Sequence, residues 1–596
     1  MKHLILLLLP VVVFAQYWGE RPNEKSFEAS SVYFNSYYLN PLGIHNFSDV
    51  SLGLTNDPFL RAHLNPAYIP EDSLQANQFY LDFRGDRTEA EVAHYYPMNP
   101  YYDYRASYYM PDPRWYTVTR SEPEPLFSFG VSKQLTKDLY FSGSYQFVFK
   151  EEGFYQIPTW IYNSRYGYAE DGAMISDEAS VPITDRSAGE DEMHTQAHML
   201  SANLAYRLTP NLNLGVNVNS VIHERSGSYA NLRADQYSES NEDDEWYNKY
   251  SKERDNQYKH LDLGAGLQYK FSDDLSGGIK VNYLDGKVTQ DYLINDSSIY
   301  NYHYSSSNYL SDHNSYRTEK TIQDWLHKGQ TKSATIQFDY KLSDTRSIHF
   351  YYQYQNKDLD LENKSVIADT SSYNGTHHSD TYHSIYNSWS KLSDVRSATG
   401  SSDMNGWKAM LTFRWLENEY AKINLGLFFS KQKYDKSTSE PVIARSGSYY
   451  YNEYNNNELE IYTRTNSLYE NKRLEWQTST EKQSLQIPVM LRFNINQTWE
   501  LMMAVNRIWN YWNIEEETVA YFNIREEIEN GQITQTTNFG ERWSEPDRVF
   551  SEDMTAFLTG LTVNISPKFK INIMASPELE PHWRVSQWWL GFRAAL

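Results

Sequence analysis

The chain has no cysteine in 596 residues, and that absence removes several kinds of chemistry at once. Disulfide frameworks, thiol catalysis, cysteine-based metal sites and lipid attachment at an N-terminal cysteine are all excluded. Basic residues are also scarce: 54 Lys and Arg against 77 Asp and Glu leave a net charge of −23. A nucleic-acid partner needs a basic surface to neutralise phosphate, so none is expected. Long apolar runs are missing after the first 14 residues. The run over 4–14 follows Lys2 and His3 and ends in Val13-Phe14-Ala15. It is too short to span a bilayer, which takes about 20 apolar residues, and it has the form of a secretory signal peptide cut after Ala15. No Gly-rich phosphate loop and no Cys/His zinc spacing occurs. The expected mature chain is therefore either soluble and exported, or crosses a membrane with strands.

What the sequence has in excess is aromatic: 51 Tyr, with 16 Trp and 26 Phe. Such a surplus suits strands, interfacial girdles and binding loops. The organising stretch is 200–218, LSANLAYRLTPNLNLGVNV. Leu200, Ala202, Leu204, Tyr206 and Leu208 share one parity, with Ser201, Asn203, Ala205 and Arg207 on the other. After Thr209-Pro210-Asn211 the alternation resumes with Leu212, Leu214, Val216 and Val218. Successive strand side chains point to opposite faces, so this is a hairpin with one apolar and one wet face.

The same unit recurs seven times, with short turns beginning near 136, 209, 272, 343, 416, 495 and 566. The connections at the other end are long, polar and rich in Tyr, Ser, Asn and Asp. They cover 151–195, 224–259, 291–332, 357–405, 435–482 and 515–553. Short turns on one side, long connections on the other and strands of about 10 residues form the pattern of an outer-membrane barrel. A first strand at 75–84 and a last at 587–596 bring the count to about 16. A secreted sandwich array would also alternate, but its connections would be of similar kind at both ends. In the barrel reading the apolar parity meets lipid. Tyr206, Tyr269, Phe271, Tyr340, Trp415, Phe493, Trp499 and Phe569 crowd the short turns as a girdle. The opposite parity carries Arg207, Asp262, Lys270, Lys280, Asp339, Lys341, Lys408, Arg414 and Arg492, which are expected to line a wet lumen.

The stretch before the first strand shows no alternation. It contains Gly43, Leu52-Gly53-Leu54, Asn56-Asp57-Pro58 and Leu64-Asn65-Pro66-Ala67. A glycine-containing segment leading to D-P and then N-P-A, just ahead of the first strand, resembles the FadL family of outer-membrane transporters and its PorV-type relatives. The resemblance implies a hatch, carried by Asn56, Asp57, Pro58, Asn65, Pro66 and Ala67, that folds into the lumen. The sequence departs from that pattern in its strand count, its longer Tyr-rich connections and its final Leu596, where an aromatic residue is usual.

The resulting expectation is an all-β fold: a transmembrane antiparallel β-barrel of about 14–16 strands with an N-terminal hatch segment and long extracellular loops. The domains are a signal peptide (1–15), a hatch or plug (16–74) and the barrel (75–596), in the outer membrane of a Gram-negative bacterium. Two functions follow. One is a channel for small hydrophobic solutes, implied by the resemblance. The other is a non-enzymatic subunit or docking platform of an outer-membrane complex, with protein partners held by the Tyr-rich loops. Outer-membrane lipid is the common partner, and no cofactor is expected. His377, His378, Asp380 and His383 have ligand-like spacing for a transition metal, and 241–245 (NEDDE) could hold calcium. Both are read as solvated loop, with no metal. Serines are too numerous and histidines too scattered to nominate a catalytic pair, so no enzyme is expected.

Overall fold

The computed structural model describes residues 54, 57–86, 89–94, 114–119, 127–153, 184–186, 192–239, 242–379, 382–418, 420–455, 459–578 and 584–596. The expected signal peptide (1–15), Gly43, Gly53, Asn56 and Asp380 lie outside the described residues. Two short helices come first, α1 (Pro58–Leu64) and α2 (Ser73–Ala76). The strands are β1 (Gln78–Asp86), β2 (Glu89–His94), β3 (Arg114–Thr119), β4 (Phe127–Gln134), β5 (Leu139–Gly153), β6 (Thr184–Arg186), β7 (Glu192–Thr209), β8 (Leu212–Glu239), β9 (Glu242–Lys270), β10 (Leu275–Ser306), β11 (Tyr309–Ser343), β12 (Arg346–Ser379), β13 (His383–Glu417), β14 (Ala421–Asn455), β15 (Leu459–Asn494), β16 (Trp499–Glu529), β17 (Gln532–Ser566), β18 (Phe569–Glu578) and β19 (Arg584–Ala595).

Sixteen of these strands pair antiparallel around a closed barrel. Closure comes from β1, which pairs with β4 on one side and β19 on the other, with Leu81 opposite Phe129 and Phe592. The pair β2–β3 forms a separate two-stranded sheet, and β6 pairs with β8 above the end of β7. A closed barrel leaves no unpaired edge in the bilayer, where an unbonded peptide group costs several kcal/mol.

The outer surface follows the alternation. Leu204, Val216, Leu263, Val281, Leu427 and Ile573 are exposed, while Ser201, Asn203, Ala205 and Asn217 on the other parity are buried inside. On β16, Trp499 and Trp509 are exposed at either end of a run of about 10 residues, the length of one bilayer crossing. Tyr206, Tyr269, Phe271, Tyr340, Trp415, Phe493 and Trp499 are exposed beside the short turns.

The stretches expected as long loops are largely strand. From β8 to β17 each strand runs 28 to 36 residues, and the far turns are short, as at 307–308 and 530–531. A crossing uses about 10 residues, so about 20 residues of each strand stand beyond the belt, or about 65 Å along the strand at 3.3 Å per residue. The physical reason for the difference is solvent. Above the bilayer the outer face of a strand meets water, so outward residues turn polar and the apolar/polar alternation fades although pairing does not; parts of the inner face still pack, with Val442, Leu474, Ala520 and Phe522 buried together on β14–β16. Cross-strand contacts such as Trp389 stacked on Tyr449, 6.5 Å between centroids, are what hold this wall. The tip of β16–β17 turns through Asn530 (φ 48°) and Gly531 (φ 81°), the Asn-Gly pair that a two-residue hairpin favours.

Candidate functional site inside the barrel

The segment before β1 sits among the inward side chains of the wall. Helix α1 begins because Asp57 caps it, its Oδ1 accepting from the Phe59 and Leu60 amides at 3.0 and 3.3 Å, with Pro58 fixing φ at the first position. It ends at Asn65, whose extended backbone leaves the helix. Every residue of α1 is buried.

Its two sides meet different walls. Leu60 and Leu64, one turn apart, pack with Leu54 against Met410, Phe428, Met490, Met502, Met574 and Trp589 on the inner face of β13–β19. Methionine is flexible and polarisable, so this contact is extensive but undirected. The opposite side is fixed by charge and hydrogen bonds. Arg61 forks onto Asp339 of β11 at 3.2 and 2.7 Å, and Asp339 also meets His349 Nδ1 of β12 at 2.9 Å. The Arg61 guanidinium lies 4.5 Å from the Tyr68 ring. Lys280 Nζ of β10 donates to the His63 carbonyl at 2.7 Å, and Asn65 Nδ2 to the Leu267 carbonyl of β9 at 3.1 Å. The Met-rich side has a directed bond as well, since Asn424 Nδ2 of β14 donates to the Leu54 carbonyl at 2.6 Å. Arg593 of β19 is 2.5 Å from Asp57 Oδ2, so the capping carboxylate is also a latch to the last strand. The His63 imidazole is held down to about 3 by burial and by the charges of Lys280 and Lys408.

The turn Asn65-Pro66-Ala67 rests on a patch of glycine. Gly215 of β8, Gly266 of β9 and Gly278 of β10 face it, and a Cβ at any of the three would come within 3.0 Å of Pro66 or Asn65. The wall is stripped of side chains where the backbone turn touches it.

The charged residues expected in the lumen divide into groups. Asp262, Lys280 and Arg414 are buried on the inner face, and Asp339 is the anchor of Arg61. Lys270 and Lys341 sit beside short turns, paired with Asp273 at 3.0 Å and Asp344 at 2.8 Å. Arg492 faces Glu500 at 3.8 Å. Arg207 and Lys408 are half-buried on the same parity. Arg61, His63 and Arg593 were not singled out by the sequence reading. The signal for Arg593 was its inner parity on the last strand, and α1 carried no period long enough to assign Arg61 a side.

Two layers lie on the inner wall above the segment. The nearer is polar: Ser201 Oγ donates to Asn219 at 2.6 Å, and Asn219 and Asn282 both donate to Asp262 Oδ2, at 2.8 and 3.2 Å. Beyond it Met199, Val221, Tyr258, Leu284, Leu359 and Leu361 form an apolar cluster on the same inner face.

The ligand-like residues around 377 do not converge. His377 faces Ser311 at 3.0 Å and the His313 ring at 4.6 Å on one face, whereas His378 meets His383 edge-to-face on the other. No group of three or more metal-ligating side chains occurs among the described residues. Within 241–245, Glu242, Asp243, Asp244 and Glu245 alternate along β9.

No protein-family model matches the chain, and no characterised protein matches it in sequence. Solved structures that resemble it include the toluene transporter TbuX of Ralstonia pickettii, at 10% identity and a TM-score of 0.30, covering 90% of this chain and 93% of that one. The CymD monoaromatic hydrocarbon channel overlaps at 8% identity and 0.23, over 71% and 94% of the two chains. The siderophore receptor PirA from Acinetobacter baumannii overlaps at 6% identity and 0.23, over 87% and 80%. Overlaps this shallow carry nothing about cargo.

Proposed function

We propose that the chain is a FadL-like barrel of the Gram-negative outer membrane, plugged by the segment around α1, that passes small hydrophobic solutes. The observation that carries this reading is the apolar cluster of Met199, Val221, Tyr258, Leu284, Leu359 and Leu361 on the inner face above the plug. A water-filled pore lines its interior with polar groups; here the inner side chains are buried against one another, so a solute that passes must exchange apolar contacts with them, which favours an apolar one. Asp57, Pro58, Asn65, Pro66 and Ala67 form the plug's fixed side, held to β8–β11 and β19. The Met-rich face on β13–β18 is the side on which it yields, because it holds the segment by undirected contacts and the single Asn424–Leu54 bond, whereas ion pairs hold the other side. Asp262, Lys280, Asp339 and Arg414 serve as its mounting rather than as pore charges. The reading includes no catalysis and no cofactor.

The test is uptake into proteoliposomes of toluene and of oleate. Leu284→Asp with Leu359→Asp should cut entry at least about tenfold while the barrel stays heat-modifiable, since burying an unpaired carboxylate in the path costs more than the 1.4 kcal/mol that tenfold represents. Entry of neither probe through the intact protein would refute the reading. A second reading, a docking platform in an outer-membrane complex, is favoured by ten strands that rise far beyond what a pore needs. Purification from native membranes as a lone monomer would refute that one.

A further inference from the structure

The wall beyond the belt carries an ordered file of rings. Parity runs unbroken up β12 from Leu359 and Leu361, on the inner face, to Tyr373, Gly375 and His377. On that face six consecutive strands, β10 to β15, each contribute one ring: Tyr302, His313, Tyr373, Tyr386, Tyr450 and Tyr462. Successive centroids are 5.7, 5.7, 5.0, 4.9 and 5.7 Å apart. The last three contacts are edge-to-face, at 81°, 89° and 74°. Gly375 makes room for the file, since a Cβ there would lie 2.6 Å from His313 Nδ1. None of the six rings is buried.

The middle of the file is uncharged, and its two ends are mostly acidic, with Glu242 and Asp244 of β9 beside Tyr302, and Glu460 and the Glu529-paired Arg464 beside Tyr462. On the same face, 311–315 of β11, 371–377 of β12, 384–390 of β13 and 446–452 of β14 present only Ser, His, Tyr, Asn and Gly. This is a chain in which 22% of residues are charged. The side chains brace one another: Ser371 and Ser390 hydroxyls meet at 2.7 Å, Tyr373 and His313 at 2.5 Å, and Ser311 and His377 at 3.0 Å. The result is a row of fixed ring surfaces set among hydroxyls and imidazoles.

We propose that this face binds a neutral oligosaccharide, laid across the strands with its sugar rings against the tyrosines. Three physical arguments select that chemistry. A polyanion would need several cations, and here it would meet Glu242, Asp244 and Glu460 against the single Arg464, itself paired with Glu529. A purely apolar solute would strip water from the donor and acceptor positions that these hydroxyls and imidazoles do not spend on one another, which costs more than the ring contact returns. A peptide strand needs a sheet edge, and here every strand is paired on both sides. A chain of linked sugars offers apolar ring faces and peripheral hydroxyls together. Six rings at one strand spacing of about 4.8 Å extend over about 25 Å, room for several units. The proposal does not depend on the lumen conducting.

The experiment is calorimetric titration of the full-length detergent-solubilised protein with maltoheptaose and with cellohexaose, and with oligogalacturonate as a charged control. One of the two neutral probes should bind and the charged one should not. Tyr386→Ala with Tyr450→Ala should weaken binding about tenfold or more, as loss of two ring contacts implies. Tyr386→Phe with Tyr450→Phe should stay within about threefold, because the ring surface remains. Trp389→Ala, on the opposite face, should leave affinity unchanged. No binding of either neutral probe by the folded protein would overturn the proposal, and so would equal affinity in the Ala pair. Preserved sugar binding in a variant that no longer passes toluene would separate this site from the transport path.

Discussion

A single methyl group at residue 215 tests the mounting of the plug. The Cβ of Gly215→Ala would fall within 3.0 Å of the Pro66 carbonyl carbon, its oxygen and the Ala67 nitrogen, all backbone, where ordinary contact is 3.4–4 Å. A side chain can rotate away from such a clash; a peptide group cannot. Strand β8 cannot retreat either, because residues around 215 are laddered to β7 on one side and β9 on the other. The segment must therefore move, by roughly 1 Å, and close-packed interiors do not absorb that freely. The move stretches the Asn65–Leu267 bond from 3.1 Å and the Lys280–His63 bond from 2.7 Å. Overpacking of this kind costs about 1–3 kcal/mol, which shifts the docked-to-undocked ratio by about 5- to 150-fold. The barrel wall itself is untouched.

The assay is limited proteolysis of the segment in the folded protein, with conductance in planar bilayers beside it. Gly215→Ala should be cleaved faster and show more frequent openings. Gly266→Ala should show a smaller effect, because its nearest neighbour is the Asn65 side-chain oxygen rather than backbone, and displacing it costs the bonds to Ala67 and Leu267 but not a shift of the whole turn. Gly447→Ala on β14, with ordinary contacts of 3.5 Å, is the control and should match the wild type. Equal cleavage and conductance in all three variants would refute the claim that the glycine patch seats the turn.

Other expected outcomes follow from the same geometry. Leu204→Arg or Val216→Arg should destabilise the refolded barrel by about 2–4 kcal/mol in lipid, whereas Asn203→Ala on the inner parity should not; equal effects in a chemical-denaturation series would contradict the facing. The chain has no cysteine, so single-cysteine labelling is clean: Ser307→Cys at a far tip should react with an impermeant maleimide in intact cells and Lys137→Cys at a short turn should not, and the reverse would invert the topology. His63 is held neutral by burial first and then by Lys280 and Lys408, its imidazole lowered from 6.5 to about 3. The released state binds the proton more readily, so docking is fully supported above about 6.5 and weakens as pH falls from 6.5 towards 3. Cleavage of the segment should accelerate through that window, and His63→Gln should flatten the dependence.

How much of this was legible depends on whether a residue's two faces see different solvents. The belt was readable because they do: Leu204 and Val216 meet one environment and Asn203 and Asn217 the other, so a period of two is written into the residues. Twenty residues further along, the outer face of β8–β17 meets water too, so polar residues stand on both faces around buried clusters such as Val442, Leu474, Ala520 and Phe522, and the period weakens while the ladder continues. The file of rings on β10–β15 was therefore invisible, since each tyrosine is only one among 51 until register places it diagonally from the next. The plug was legible in its caps and turns, because Asp57 and Asn65 act locally on the amides two residues on. Its anchors were not, because Asp339 lies 278 residues from Arg61 and Arg593 almost the whole chain from Asp57. One long-range signal was present and unread: Gly215, Gly266 and Gly278 all fall on the inner parity of adjacent strands near the short turns. Glycine weakens a strand and packs nothing, so three side by side on one face mark a place where another backbone comes close.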